Sequence, residues 1–217
     1  MVNMTLPDML VKMMIVGIMS FMALASPPAP AAVVDLVPGS DQISGRLEIY
    51  RSYNGLTIVG TVSGLTPGKH GFHVHQKGDL GDGCKAAGGH FNPFNKNHGA
   101  PEDLERHAGD FGNVVADYQG VATIYIDDSQ VSLDPSSEAY IGGLAIVVHA
   151  GVDDLGRGGN PESAKTGNAG ARSGCGIIRV VAPTYQPPQS GYRPRRPQHP
   201  NRQPGFPQQF QYQRTYN

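Results

Sequence analysis

Seven of the eight histidines in this chain lie between His70 and His149. Six of them, with one aspartate, have spacings that suit metal ligation. His73 and His75 flank Val74. His90, His98 and His107 follow, with Asp110 three residues beyond, and His149 ends a later apolar run. Neutral imidazole is a good ligand for copper and zinc. On a strand, residues two apart share a face, so the rings of His73 and His75 project together while Phe72 and Val74 turn to a core. His149, at the end of another strand, can approach the same point. His90, His98, His107 and Asp110 offer three nitrogens and a carboxylate, the four-donor set of a closed, structural zinc site. Such a site would pin a loop that has no apolar core of its own. His90 can serve both groups through its two nitrogens. Copper would then have four nitrogens in the tetragonal arrangement Cu(II) prefers.

Short strands are what such ligands need behind them. Apolar stretches with turn signals between them run over Val33–Val37, Ile43–Tyr50, Leu56–Val62, Phe72–His75, Gly112–Ala116, Val121–Ile126, Gly143–His149 and Gly176–Val181. Asn54-Gly55 is a strong hairpin dipeptide. With 29 Gly, 18 Pro and no amphipathic helix pattern, the sequence predicts an all-β fold, an antiparallel sandwich or barrel. Two strand-poor segments interrupt it, 76–110 and 150–174. Loops of that length in a compact domain are usually functional.

The chain divides into three parts. Residues 1–25 read as a signal peptide: Lys12 precedes an apolar run, and Ala23-Leu24-Ala25 is a small-x-small cleavage signal before Ser26. The run is short for a bilayer span, which takes roughly 20 apolar residues. Secretion is the expectation, and attachment through an uncleaved signal anchor is the alternative. Residues 26–182 form the domain, with 11 Lys and Arg against 17 Asp and Glu, a formal −6. Residues 183–217, rich in Pro, Gln and Arg, carry five arginines and no acid and are expected to be disordered. The two cysteines, Cys84 and Cys175, read as one disulfide in a secreted protein.

Four segments together resemble the copper/zinc superoxide dismutase family. They are Gly71-Phe72-His73-Val74-His75, Gly88-Gly89-His90-Phe91-Asn92-Pro93, Glu105 through Asn113, and Gly167-Asn168-Ala169-Gly170-Ala171-Arg172. The resemblance covers residues 31–181. It implies an eight-stranded antiparallel Greek-key barrel with two long functional loops, and dismutation of superoxide to oxygen and hydrogen peroxide. It also implies a copper ion on His73, His75, His90 and His149, and a zinc ion on His90, His98, His107 and Asp110. Cys84 and Cys175 match the family's disulfide, and Asp153 its carboxylate linking the two metal sites. His90 and Arg172 would be the catalytic side chains: His90 as the proton carrier, Arg172 as a fixed cation beside copper. Lys165 and Glu162 would shape the field at the channel mouth, where Pro161 stands in place of a frequent acidic residue. His70 is not a ligand in this pattern and reads as a turn or surface residue.

A homodimer is also implied, and no nucleic-acid partner or stable membrane span is expected. The basic tail suits weak binding to extracellular polyanions. Two rivals share the fold. A copper carrier would bring extra cysteine pairs, which are absent here, and a non-catalytic module would not need the full ligand set with Arg172.

Overall fold

Apolar and polar residues alternate clearly enough in the first strands to tell inside from outside. β1 (Ala32–Pro38) turns Ala32, Val34 and Leu36 inward, and β2 (Ser44–Ser52) turns Leu47 and Ile49 inward. β3 (Gly55–Ser63) contributes Leu56, Ile58 and Val62. β2 and β3 form a hairpin around Tyr53 and Asn54, with Ser52 opposite Gly55. The remaining strands are β4 (Gly68–His75), β5 (Asp110–Ala116), β6 (Val121–Asp128), β7 (Ala145–His149), β8 (Arg172–Ile177) and β9 (Arg179–Val180). The computed structural model describes residues 28–182; the expected signal peptide and the basic tail lie outside the described residues.

The strands pair in the order β2-β3-β6-β5-β4-β7-β8-β1, and β1 also pairs with β2. All pairings are antiparallel, so the expected eight-stranded barrel is closed, with Greek-key crossovers carrying β3 to β6 and β4 to β7. One core fills it, from Val34 and Leu47 through Phe72 and Val74 to Ile146 and Val148.

The last expected strand is displaced. Its barrel portion begins at Arg172, and the chain breaks at Ile178 before β9 pairs with β1. Ser173, Gly174 and Gly176 lack apolar character, yet they are buried: the Ser173 hydroxyl bonds Asp41, and the packing leaves the two glycines no room for a side chain. A Cβ on Gly174 would lie 2.4 Å from the Ile43 side chain, and one on Gly176 would lie 2.5 Å from the Asp35 carbonyl oxygen.

The long loops are 76–109, between β4 and β5, and 150–171, between β7 and β8. Each carries one helical turn, a 3-10 turn at Lys85–Ala87 and α1 at Ser163–Thr166. Contrary to expectation, the first loop has a small apolar cluster outside the barrel. Cys84 and Ala87 pack on Ala145, Val147 and Cys175, and the Cys84–Cys175 disulfide lies within this cluster.

Candidate metal centre

The outer face of β4 carries His73 and His75, as the strand period requires. Pairing sets His73 opposite Asp110 on β5 and opposite Val147 on β7, and a bridge sets His75 opposite His90 of the first loop. His149 ends β7 beside Arg172 of β8, at an irregular step in the register. His73, His75, His90 and His149 converge, each with a ligand atom within 4.8 Å of the others, and all four are buried. The outer nitrogens are engaged. His73 Nε2 donates to Asp153 Oδ2 at 2.9 Å, His75 Nδ1 to the Gly88 carbonyl at 2.9 Å, and His149 Nδ1 to the Gly170 carbonyl at 3.2 Å. Such bonds fix tautomer and ring orientation. They leave His73 Nδ1 and the Nε2 atoms of His75 and His149 as the inward lone pairs. The latter two are 3.3 Å apart.

The second group centres on Asp110. Three ring nitrogens face its Oδ1: His90 Nδ1 at 2.8 Å, His98 Nδ1 at 3.0 Å and His107 Nδ1 at 3.1 Å. Its other oxygen is held by the backbone N–H groups of His107 (2.8 Å) and Gly99 (3.2 Å). A tetrahedral ion with bonds of about 2.0 Å would separate its ligand atoms by roughly 3.3 Å, close to this spacing. His73 Nδ1 is buried with no hydrogen-bond partner, and His98 Nδ1, though 3.0 Å from Asp110, makes no well-aligned hydrogen bond. A buried nitrogen left unpaired, as at His73, costs about 1–3 kcal/mol, and a cation in each donor group would give both nitrogens a partner. The donor sets therefore fit copper and zinc. A grouping on this side whose ligand atoms all lie within 4.8 Å of one another contains His73 in place of His107. His73 has only Nδ1 to give, however, and that atom already belongs to the first group.

Asp153 joins the two groups. It accepts from His73 through Oδ2 and from His98 through Oδ1, the latter at 2.7 Å. Asn113 grips its backbone on both sides, each bond 2.8 Å. Gly167, in left-handed conformation, passes so close that a Cβ there would collide with the Asp153 carboxylate and the His98 ring.

Burial pushes His73 and His75 well below the usual imidazole range, with His90 adding to the effect, and lowers His149 to about 4. Burial also lowers His90, against the pull of Asp110. These four are thus neutral ligands at pH 7. Burial opposes the charge on Asp110, but His107, His90 and His98 outweigh it and hold the carboxyl far below its usual range. His98 runs the other way: Asp110 and Asp153 overcome burial and raise it to about 9.

The metal-free protein should therefore be most stable near pH 6.5, the unfolded imidazole value. The raised His98 contributes fully below that pH and loses its contribution as pH climbs towards 9. The lowered histidines contribute above it and lose theirs on acidification towards 4. Melting of metal-stripped protein across pH 4–9 measures this, and a flat profile above pH 6.5 would contradict the His98 geometry.

A cavity of about 370 Å3 opens onto this centre, lined by His75, His90, His149, Glu162, Asn168 and Arg172 among others. Arg172 is anchored by three carbonyls of the first loop: Nη1 donates to Cys84 and Lys85, and Nη2 to Gly88. Glu162 reaches the lining, whereas Lys165 pairs with it at 3.6 Å from outside, both largely exposed.

His70 corrects the sequence reading. It is 2% exposed, and its ring nitrogens face the carbonyl oxygens of His149 (2.8 Å) and Thr66 (2.7 Å). Strand parity places it with Phe72 and Val74, and that was the available signal. Asn113 and Arg106 lie within the Glu105–Asn113 segment but were given no role in the sequence, because their partners, the Asp153 backbone for Asn113 and the Asp128 carboxylate with nearby carbonyls for Arg106, are set by folding.

The family model for "Copper/zinc superoxide dismutase (SODC)" matches residues 43–178. The chain is 51% identical over 150 residues to "Superoxide dismutase [Cu-Zn] 2" of Mesembryanthemum crystallinum, covering 69% of this chain and 95% of that one. It is 47% identical over 155 residues to "Extracellular superoxide dismutase [Cu-Zn]" of Haemonchus contortus, covering 70% and 84%. Among solved structures it resembles the clock protein EA4, with a TM-score of 0.65 and 41% identity, covering 72% of this chain and 99% of that one.

Proposed function

The chain belongs to the copper/zinc superoxide dismutase family, and from that premise we propose how its own side chains divide the work. The activity is that of an oxidoreductase converting superoxide to oxygen and hydrogen peroxide, with copper and zinc as cofactors. In this reading His73, His75, His90 and His149 hold copper, and His90, His98, His107 and Asp110 hold zinc. The observation that carries it is His90: its Nδ1 lies 2.8 Å from Asp110, while its ring centroid is 4.0 Å from that of His73. One ring thus belongs to both groups.

Copper, when bound, supplies a one-electron couple that oxidises one superoxide and reduces the next, while zinc contributes a fixed charge and loop order. His90 Nε2 is the atom that takes up a proton and delivers it to the departing peroxide. Arg172 draws the anion in and orients it, its guanidinium held at the cavity wall by the Cys84, Lys85 and Gly88 carbonyls. Asp153 keeps His73 and His98 in register, so the two ligand groups hold one geometry.

Arg172→Ala should slow superoxide consumption about 10-fold or more and flatten its dependence on ionic strength, with both metals retained. The reason is that salt screens a fixed cation's pull on an anion. Unchanged rate and salt profile would remove Arg172 from this role.

We further infer secretion after cleavage before Ser26, in keeping with extracellular relatives from Haemonchus contortus and Brugia pahangi. No helix among the described residues is long and apolar enough to cross a membrane. The mature protein is proposed as a homodimer with a weakly polyanion-binding tail. Val37 on β1 and Val180 on β9 remain exposed, and the tail holds five arginines without an acid. Light scattering and a heparin column test this on the full chain and on one ending at Ala182. Both should have twice the single-chain mass, and only the full chain should be retained to higher salt. A single-chain mass would reject the dimer, and co-elution would reject the tail's role.

A further inference from the structure

Arg106 is 3% exposed, and nothing in the ligand sets or the proton path uses it. Its Nη2 donates to Asp128 Oδ2 at 2.5 Å, at the end of β6. Its Nη1 reaches three carbonyl oxygens of one turn: His107 at 3.2 Å, Ala108 at 3.4 Å and Asp110 at 3.1 Å. Asp128 is itself fixed, its Oδ1 accepting the backbone N–H groups of Gln130 and Val131. A buried cation is costly unless paired and hydrogen-bonded. This one is retained at a point where three peptide dipoles turn inward.

We propose that Arg106 is a positioning residue for the zinc-side donors. Anchored by Asp128 to the rim of the barrel, it gathers the carbonyls of residues 107–110. The side chains and N–H groups of that turn are thereby presented on the opposite side, where His107 Nδ1 and Asp110 Oδ1 meet. The turn is short and lacks regular structure; backbone bonds of Gly109 with Val74 and Phe91 tie its end to β4 and the first loop, and Arg106 is the side chain that gathers the carbonyls between His107 and Asp110. A planar guanidinium suits this task because it donates in several directions at once, which an ammonium cannot copy. This inference rests on the zinc-side reading of His107 and Asp110.

The test is metal binding by the full chain carrying Arg106→Met, Arg106→Lys or Asp128→Asn, with zinc affinity read by chelator competition. Cobalt(II) loaded in place of zinc reports ligand geometry through its visible absorption. Loss of groups that orient metal ligands typically costs 10–100-fold in affinity. Arg106→Met is therefore expected to weaken zinc about 10-fold or more and to dim the tetrahedral cobalt bands, with Arg106→Lys between it and the parent. Ile58→Val, a core change at a residue that bonds to none of the turn's groups, controls for general destabilisation. If it weakens zinc as much at equal loss of melting temperature, or if Arg106→Met leaves affinity and cobalt spectrum unchanged, the proposal fails. Should Arg106→Met not fold, Arg106→Lys and Asp128→Asn decide by the same two readouts. A parent protein without tetrahedral cobalt bands would reject the zinc-side reading itself, which keeps the two failures apart.

Discussion

His75→Ala should abolish copper-dependent dismutase activity while leaving a folded barrel that still takes up zinc. His75 belongs only to the copper group, its Nε2 facing His149 and its Nδ1 on the Gly88 carbonyl. Removing a ligand should cost more than the roughly 10–100-fold lost when only a ligand's outer partner is changed. The side chain points away from the barrel core, so Val74 and Phe72 keep their packing. Metal analysis and a superoxide-consumption assay on the same sample provide the check. A variant that keeps copper and full activity would overturn the ligand assignment. A variant that loses zinc in equal measure would show that the groups are less separable than the geometry implies.

Replacing Cys84 and Cys175 together by Ser should lower stability by about 2–5 kcal/mol, because their bridge closes a loop with a sequence separation of 91. For a chain of this size that corresponds to a melting temperature lower by roughly 10 °C. Activity should fall as well, for a reason visible in the site. Cys84 and its neighbours offer the carbonyls that hold Arg172, and Gly88 also holds His75. Untethering that segment from β8 loosens the guanidinium and one ligand together. Calorimetry with a rate measurement at 25 °C tests both effects. Normal activity in a variant that melts much earlier would leave the bridge a purely structural role.

These two results would probe quite different parts of what the residues encode. The barrel and the copper-side histidines were legible early because both follow from period two. Ala32, Val34 and Leu36 alternate inward, and by the same rule His73 and His75 share the face opposite Phe72 and Val74. The first loop's ligands were legible by type, since few roles other than metal binding call for His90, His98, His107 and Asp110 so close together. His70 obeyed the same parity, but its polar side chain suggested the surface. Only the folded chain brings the His149 carbonyl to one ring nitrogen and the Thr66 carbonyl and hydroxyl to the other, so that the buried ring faces polar partners on both sides. The start of β8 was hidden for a related reason. Gly174 and Gly176 are small because Ile43 and β1 press against them, and a sequence window records the lack of apolar residues without the neighbour that causes it. Arg106 joins nearby carbonyls to the Asp128 carboxylate on another strand, Asn113 grips the Asp153 backbone in the second loop, and the carbonyls that anchor Arg172 come from residues more than 80 positions away. Side-chain type and local period determine which groups are available for chemistry. Which backbone atoms face them is decided by contacts between distant segments, which exist only once the barrel has closed.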